Sequence, residues 1–171
     1  MTNPTDTTND PTGSKEYPSC AERIGGKMES RMADIRELWE HYPHRHPELG
    51  RLENYGLCFE YVEADRYPDL DRGFFRWQLS TGGPAAEIRF HMADHVTEEL
   101  GWDEQGADAS DLARIEFRFH DWFDGAGRTL TGADRELLDT LFSHFFRMVL
   151  GARFNESTGH ARRGPSTRRR R

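Results

Sequence analysis

FFRWQLSTGGPAAEIRFH, Phe74 to His91, decides the fold. Phe75, Trp77 and Leu79 alternate with Arg76, Gln78 and Ser80, the period of a strand with one apolar face. After the turn the alternation resumes, with Ala86, Ile88 and Phe90 against Glu87, Arg89 and His91. Between the two runs, Gly82 and Gly83 can take positive φ and Pro84 stiffens the exit, so the stretch predicts an antiparallel hairpin. A phosphate-binding loop would instead place such glycines at a helix N-terminus, followed by a lysine or hydroxyl. Here a strand follows, which argues against a nucleotide site.

Working outward, LCFEYVE (Leu57 to Glu63) and ARIEFRFHDWF (Ala113 to Phe123) show the same period-two pattern. The Gly-Ala-Gly after Asp124 is expected to end the fourth strand. Met28, Met32, Ile35 and Leu38 or Trp39 fall on one helical face from Lys27 to His41, before Pro43 and Pro47 stop the helix. A second apolar stripe, Leu137, Leu138, Leu141, Phe142, Phe145, Phe146, Val149 and Leu150, predicts a C-terminal helix capped by Thr131 with Asp134 three residues on. Residues 92–112 read as a short helix or a loop. The expected fold class is α+β: a four-stranded, mainly antiparallel sheet packed on an N-terminal and a C-terminal helix. Its core should contain Ile35, Phe59, Trp77, Ile88, Phe117, Leu141 and Phe145. The opposite face, with Glu60, Arg76, Gln78, Glu87, Arg89, Glu116, Arg118 and His120, should be solvated and open to a partner. Arg76–Glu87 and Arg89–Glu60 are its expected cross-strand pairs.

The 171 residues are expected to form a disordered leader (1–26), one domain (27–153) and a disordered arginine-rich tail (154–171). Cys20 and Cys58 are the only cysteines, too few for a disulfide framework or a zinc cluster. With no apolar signal segment and no long apolar run, the reading is cytoplasmic, with no membrane partner. The net charge of −7 is unevenly distributed. Six of the 23 basic residues, Arg162, Arg163, Arg168, Arg169, Arg170 and Arg171, lie in the last ten positions, leaving 17 basic against 30 acidic residues before them, a balance of −13. Such a tail is suited to weak, non-specific nucleic-acid contact, which the acidic body would oppose.

His41, His44 and His46 invite a metal reading, but no cysteine or spaced partner motif accompanies them, and they read as a post-helical loop. Asp121 and Asp124 in DWFDGAG lack the alternating oxygen ligands and distal Glu of a calcium loop, and a turn accounts for them. With Asp69 and Asp71 they are expected to form an acidic rim. Ser80, His120 and Asp121 have no nucleophile elbow, so no catalytic residue, metal or cofactor is assigned. The binding set expected on the polar face and at its edge is Gln78, Arg89, His91, Arg118, His120, Asp121 and Asp124.

The phrases ENYGLCFEYVE, FFRWQLSTGGPAAEIRFH and FHDWFDGAGRTLTGADRELL, in that order over Glu53 to Leu138, resemble a group of small bacterial proteins encoded on plasmids and other mobile elements. The resemblance implies an accessory protein and supplies no catalytic residues. Ala85 and Ala86 stand after Gly-Gly-Pro where the family reading leads one to expect more polar residues. The resulting expectation is a non-enzymatic binding or regulatory protein contacting a macromolecule, a protein by preference, one form being mimicry of DNA charge. The alternative is a small metal-dependent hydrolase using His91, His120 and Asp121 or Asp124.

Overall fold

The computed structural model describes residues 17–64, 72–93 and 112–145. Five strands form one antiparallel sheet in sequence order: β1 (Cys58–Val62), β2 (Phe74–Ser80), β3 (Ala85–Met92), β4 (Leu112–Asp121) and β5 (Asp124–Thr129). Helix α1 (Cys20–His41) and helix α2 (132–145) supply the layer on one face. The α+β class, the antiparallel sheet and the two helices match the sequence reading. The strand count does not: DGAGRT, expected to end the sheet, forms β5. It pairs with β4 from Asp121–Asp124 to Glu116–Thr129. Two glycines give it no strand propensity of its own, so the pairing comes from the two-residue turn and the length of β4.

Helix α1 also begins earlier than expected, at Cys20 rather than Lys27. Ser19 accepts a hydrogen bond from the Glu22 amide, and the Glu22 carboxylate accepts one from the Ser19 amide, a reciprocal capping box. Ile24, Met32, Ile35 and Leu38 then line the buried side. At the start of α2, Asp134 binds Arg36 of α1, joining the helices, where the sequence reading had assigned it to a cap with Thr131. Of the segment 92–112 expected as a short helix or loop, Met92 and Leu112 instead end and begin β3 and β4; its residues 94–111, the rest of the expected C-terminal helix, Asp69, Asp71 and the arginine tail lie outside the described residues.

The core lies between the helices and the sheet. Ile35, Trp77, Ile88, Phe117, Leu141 and Phe145 are buried as expected. Phe59 is only partly buried, yet it stacks on Phe75 and Phe145 at centroid distances of 5.8 and 5.5 Å. Phe142 of α2 meets Phe75 and Phe90 at 5.4 and 5.2 Å, so α2 is fixed to β2 and β3 by ring packing. Trp77 satisfies its buried indole by donating from Nε1 to the Tyr55 carbonyl at 3.0 Å. Tyr55 in turn donates to Asp34 Oδ2 at 2.7 Å. Burial, and next that bond, pushes the Tyr55 phenol up to about 12.

Candidate functional site

The polar face of the sheet departs from the solvated surface expected of it. Its charged side chains lie flat and pair with one another, leaving Glu87 only 8% exposed. Arg89 donates to Glu87 Oε1 from Nε at 2.6 Å, and Arg76 Nη1 is 3.8 Å from the other Glu87 oxygen. Arg76 also binds Glu60. The expected Arg76–Glu87 pair is therefore present, whereas Arg89 binds Glu87 and not Glu60. Glu116 is shared more loosely: Arg118 Nη1 lies 3.4 Å away, His91 Nε2 3.6 Å and Arg114 Nη2 3.9 Å. At one end of this face, Val62 and Phe74 form a buried cross-strand pair outside the main core, with the Arg89 guanidinium 4.7 Å above the Phe74 ring.

The residues of the hydrolase alternative are not brought together. His91 pairs across the ladder with Arg114, and His120 with Ala85. From Arg114 to His120 along β4 is about 20 Å at roughly 3.4 Å per residue. Burial, ahead of neighbouring arginines, lowers the pKa of His91; burial also leads the lowering at His120, with Glu87 opposing it. Among the described residues no group of three or more His, Cys, Asp or Glu side chains is arranged to hold a metal. His41 and His46 do fold together, with rings 4.6 Å apart, but His46 Nδ1 faces the amides of Glu48 and Leu49 at 3.3 and 3.1 Å. A cavity of about 140 Å³ beside β1 is lined by Tyr55, Leu57, Cys58, Phe59, Trp77 and Phe145. Burial, followed by Glu60, raises the Cys58 thiol, the opposite of the shift that activates a cysteine.

Asp121 and Asp124, expected in an acidic rim with Asp69 and Asp71, are both engaged with α1 at the sheet end. Asp121 pairs with Arg23 of α1 at 2.8 Å. Asp124 Oδ2 accepts from the Cys20 amide at 2.5 Å, placing a carboxylate at the positive end of α1. That bond holds the Asp124 pKa below the usual carboxylate value. Cys20, assigned to a disordered leader from sequence, is fully buried there, and burial raises its thiol.

With both acids engaged, the turn they flank presents Trp122, 86% exposed, and Phe123, fully exposed. Trp122 has φ 55 and is the only non-glycine residue at positive φ among the described residues. Asn or Gly is the usual solution at such a turn position, and a bulky side chain there is strained. The Gly82–Pro84 turn lies at the same end of the sheet. Gly82 has φ 93, as its turn requires, while Gly83 lies so close to Trp122 that a Cβ would stand 3.3 Å from the indole Nε1. The Gly82–Pro84 turn and the Trp122–Phe123 turn therefore abut, and Trp122 leans on the first of them.

Sequence reasoning identified Asp121, Asp124, Gln78, Arg89, His91, Arg118 and His120 and passed over the two aromatics between the acids. Adjacent aromatics cannot both face inward on a strand, and two acids bracketing them were the available signal. The fold and this end define an α+β protein with a five-stranded antiparallel meander, two helices on one face and an aromatic hairpin tip. Comparison with protein families, curated proteins and solved structures finds no match. Among the described residues, no helix is long and apolar enough to cross a membrane.

Proposed function

We propose that this chain is a non-enzymatic binding or regulatory protein that contacts a partner protein through the sheet end bearing Trp122 and Phe123. The exposed aromatic pair, with Trp122 held at positive φ, carries the reading. Strain of this kind persists where the surroundings enforce it and concentrates at functional positions. Aromatic side chains are also the commonest anchors of protein interfaces. The turn's acids hold it onto α1, giving the aromatics a fixed base and a small ordering cost on binding. DNA-charge mimicry loses two of its expected acids to those internal contacts, so the aromatic tip is the better recognition element. The resemblance to mobile-element proteins supports an accessory role, and the arginine tail adds a separate, salt-sensitive contact to nucleic acid in this proposal.

The test places a photo-crosslinking phenylalanine analogue at position 123 in the native host, with the same analogue at exposed Arg51 as control. The proposal expects one dominant protein adduct from position 123 that the control lacks. The same adducts from both positions, or none from position 123, would overturn it.

A further inference from the structure

We infer that β5 is a docking edge for an extended acidic segment of the partner, which joins the sheet as a sixth strand and seats a carboxylate on Arg118. The inference rests on the binding reading above and names the chemistry of what binds.

The sheet order leaves β5 with one neighbour, β4. The two-residue turn closes on the Asp121–Asp124 pair, and beyond the strand the Leu130 amide donates to the Ile115 carbonyl at 2.9 Å. Even-numbered residues therefore bond toward β4, and Gly125, Gly127 and Thr129 direct their amides and carbonyls outward. Gly127 and Thr129 are exposed, and among the described residues no backbone hydrogen bond runs from their outward groups. Natural sheets usually blunt such an edge with lysine, proline or a covering element. DGAGRT has neither lysine nor proline, and its glycines let another backbone approach closely.

Charge selects the occupant. The Arg118 and Glu116 side chains both cross above Gly127, where a Cβ would meet Glu116 Oε1 first and stand 2.7 Å from Arg118 Nη1, so the guanidinium reaches over β5 with that carboxylate beside it. Its ion pair with Glu116 is long, at 3.4 Å, and its buried Nε has no hydrogen-bond partner among the described residues. On the other face of β5, exposed Arg128 lies against Gly25 of α1, and no ion pair involves it among the described residues. Of the nearby acids, Glu116 is already shared by Arg118, Arg114 and His91, and Asp121 and Asp124 are committed to Arg23 and Cys20. Two cations, one of them beside the shared Glu116, thus flank a backbone edge that is unpaired among the described residues. An added strand would run about 4.8 Å from β5, placing a glutamate or aspartate opposite Gly127 within reach of the guanidinium. The same segment would pass the exposed aromatics at the turn.

The probe is a short acetylated, amidated peptide alternating Glu with Val, compared with its Lys-for-Glu counterpart on the full-length protein. Amide exchange followed by NMR should show the Glu peptide slowing exchange at Gly127 and Thr129, with the Lys peptide inactive. Arg118→Gln should weaken binding about 10- to 100-fold, the span expected for a charge-assisted bond, and Arg118→Lys should restore part of it. Thr129→Pro, which removes an outward donor and keeps the ladder to β4, should also weaken binding, so the test does not depend on one variant's folding. Unchanged exchange at both amides, equal binding of the Lys peptide, or full binding by folded Arg118→Gln would overturn the proposal. A concentration-dependent dimer protecting the same amides without peptide would also overturn it, by assigning the edge to a second copy. Specific crosslinking at position 123 with no β5 protection would end this inference alone; β5 protection without that crosslinking would end the aromatic-tip reading alone.

Discussion

Phe117 and Phe123 stand on the same hairpin, yet Phe117 has no accessible surface and Phe123 is fully exposed. Phe117 faces Ile88 across the β3–β4 ladder beneath the helix layer. Phe123 is the second residue of a turn whose first residue holds a positive φ. The difference shows that aromatic content alone does not separate core from contact surface. Position relative to the turn does, because the alternation that buries every second residue stops where the chain reverses.

The largest test of that contrast is truncation on each side of it. Phe117→Ala should destabilise the fold by about 3 to 5 kcal/mol, because it leaves a cavity in a packed layer. Phe123→Ala should change stability by less than about 0.5 kcal/mol, as at other exposed sites without a structural role. Urea denaturation of the two variants measures both, and similar losses would break the comparison.

The acids around the turn connect the exposed pair to α1, so the helix start is the next place to probe. Ser19→Ala removes half of the capping box and should cost about 1 kcal/mol. A midpoint unchanged by this substitution would mean that α1 is anchored elsewhere.

These two regions were unequally legible in the sequence. The core side of β2, β3 and β4 could be read because apolar residues alternate without interruption. β5 could not, since DGAGRT becomes a strand only through its pairing with β4. The Ser19–Glu22 box was present in SCAE, but polar surroundings and the Gly25–Gly26 pair obscured it. Asp121 and Asp124 read as a surface rim because their partners, Arg23 and Cys20, lie about a hundred residues away in the chain. The polar face carried the expected alternation, but spacing alone does not reveal that its side chains lie flat enough to bury Glu87.

That semi-buried face should give the fold a pH sensitivity in the histidine range, distinct from the carboxylate sensitivity of Asp124 at the hairpin tip. His91, facing Arg114, Glu116 and Arg89, and His120, facing Glu87, Arg118 and Arg89, both have pKa values lowered by burial first. The unfolded chain then binds more protons than the native one below the ordinary histidine pKa of about 6.5. Stability from these groups should be complete above that value and decline as pH falls through it toward the lowered native values. Melting midpoints of wild type and a His91→Gln, His120→Gln variant across this range would check the sign. An equal slope in both would remove the histidines as the cause.

A smaller effect is expected at Gly26, exposed within α1, where a Cβ would project into open space with nothing within 4 Å. Gly26→Ala should stabilise the fold by about 0.5 to 1 kcal/mol through helix propensity. A loss of stability would show that the helix needs that glycine for a contact.

The central claim is that Trp122 and Phe123 are kept for contact at a cost to folding. Its most direct test replaces the pair with Gly-Asn, because a two-residue hairpin turn with positive φ at its first residue alone favours glycine there. Urea denaturation and partner capture are then measured on the same preparation. The account predicts a gain of about 1 kcal/mol from relief of the positive φ, together with loss of the partner captured by the wild-type tip. A fall in stability with partner capture intact would contradict it, making the aromatic pair a structural feature of the turn.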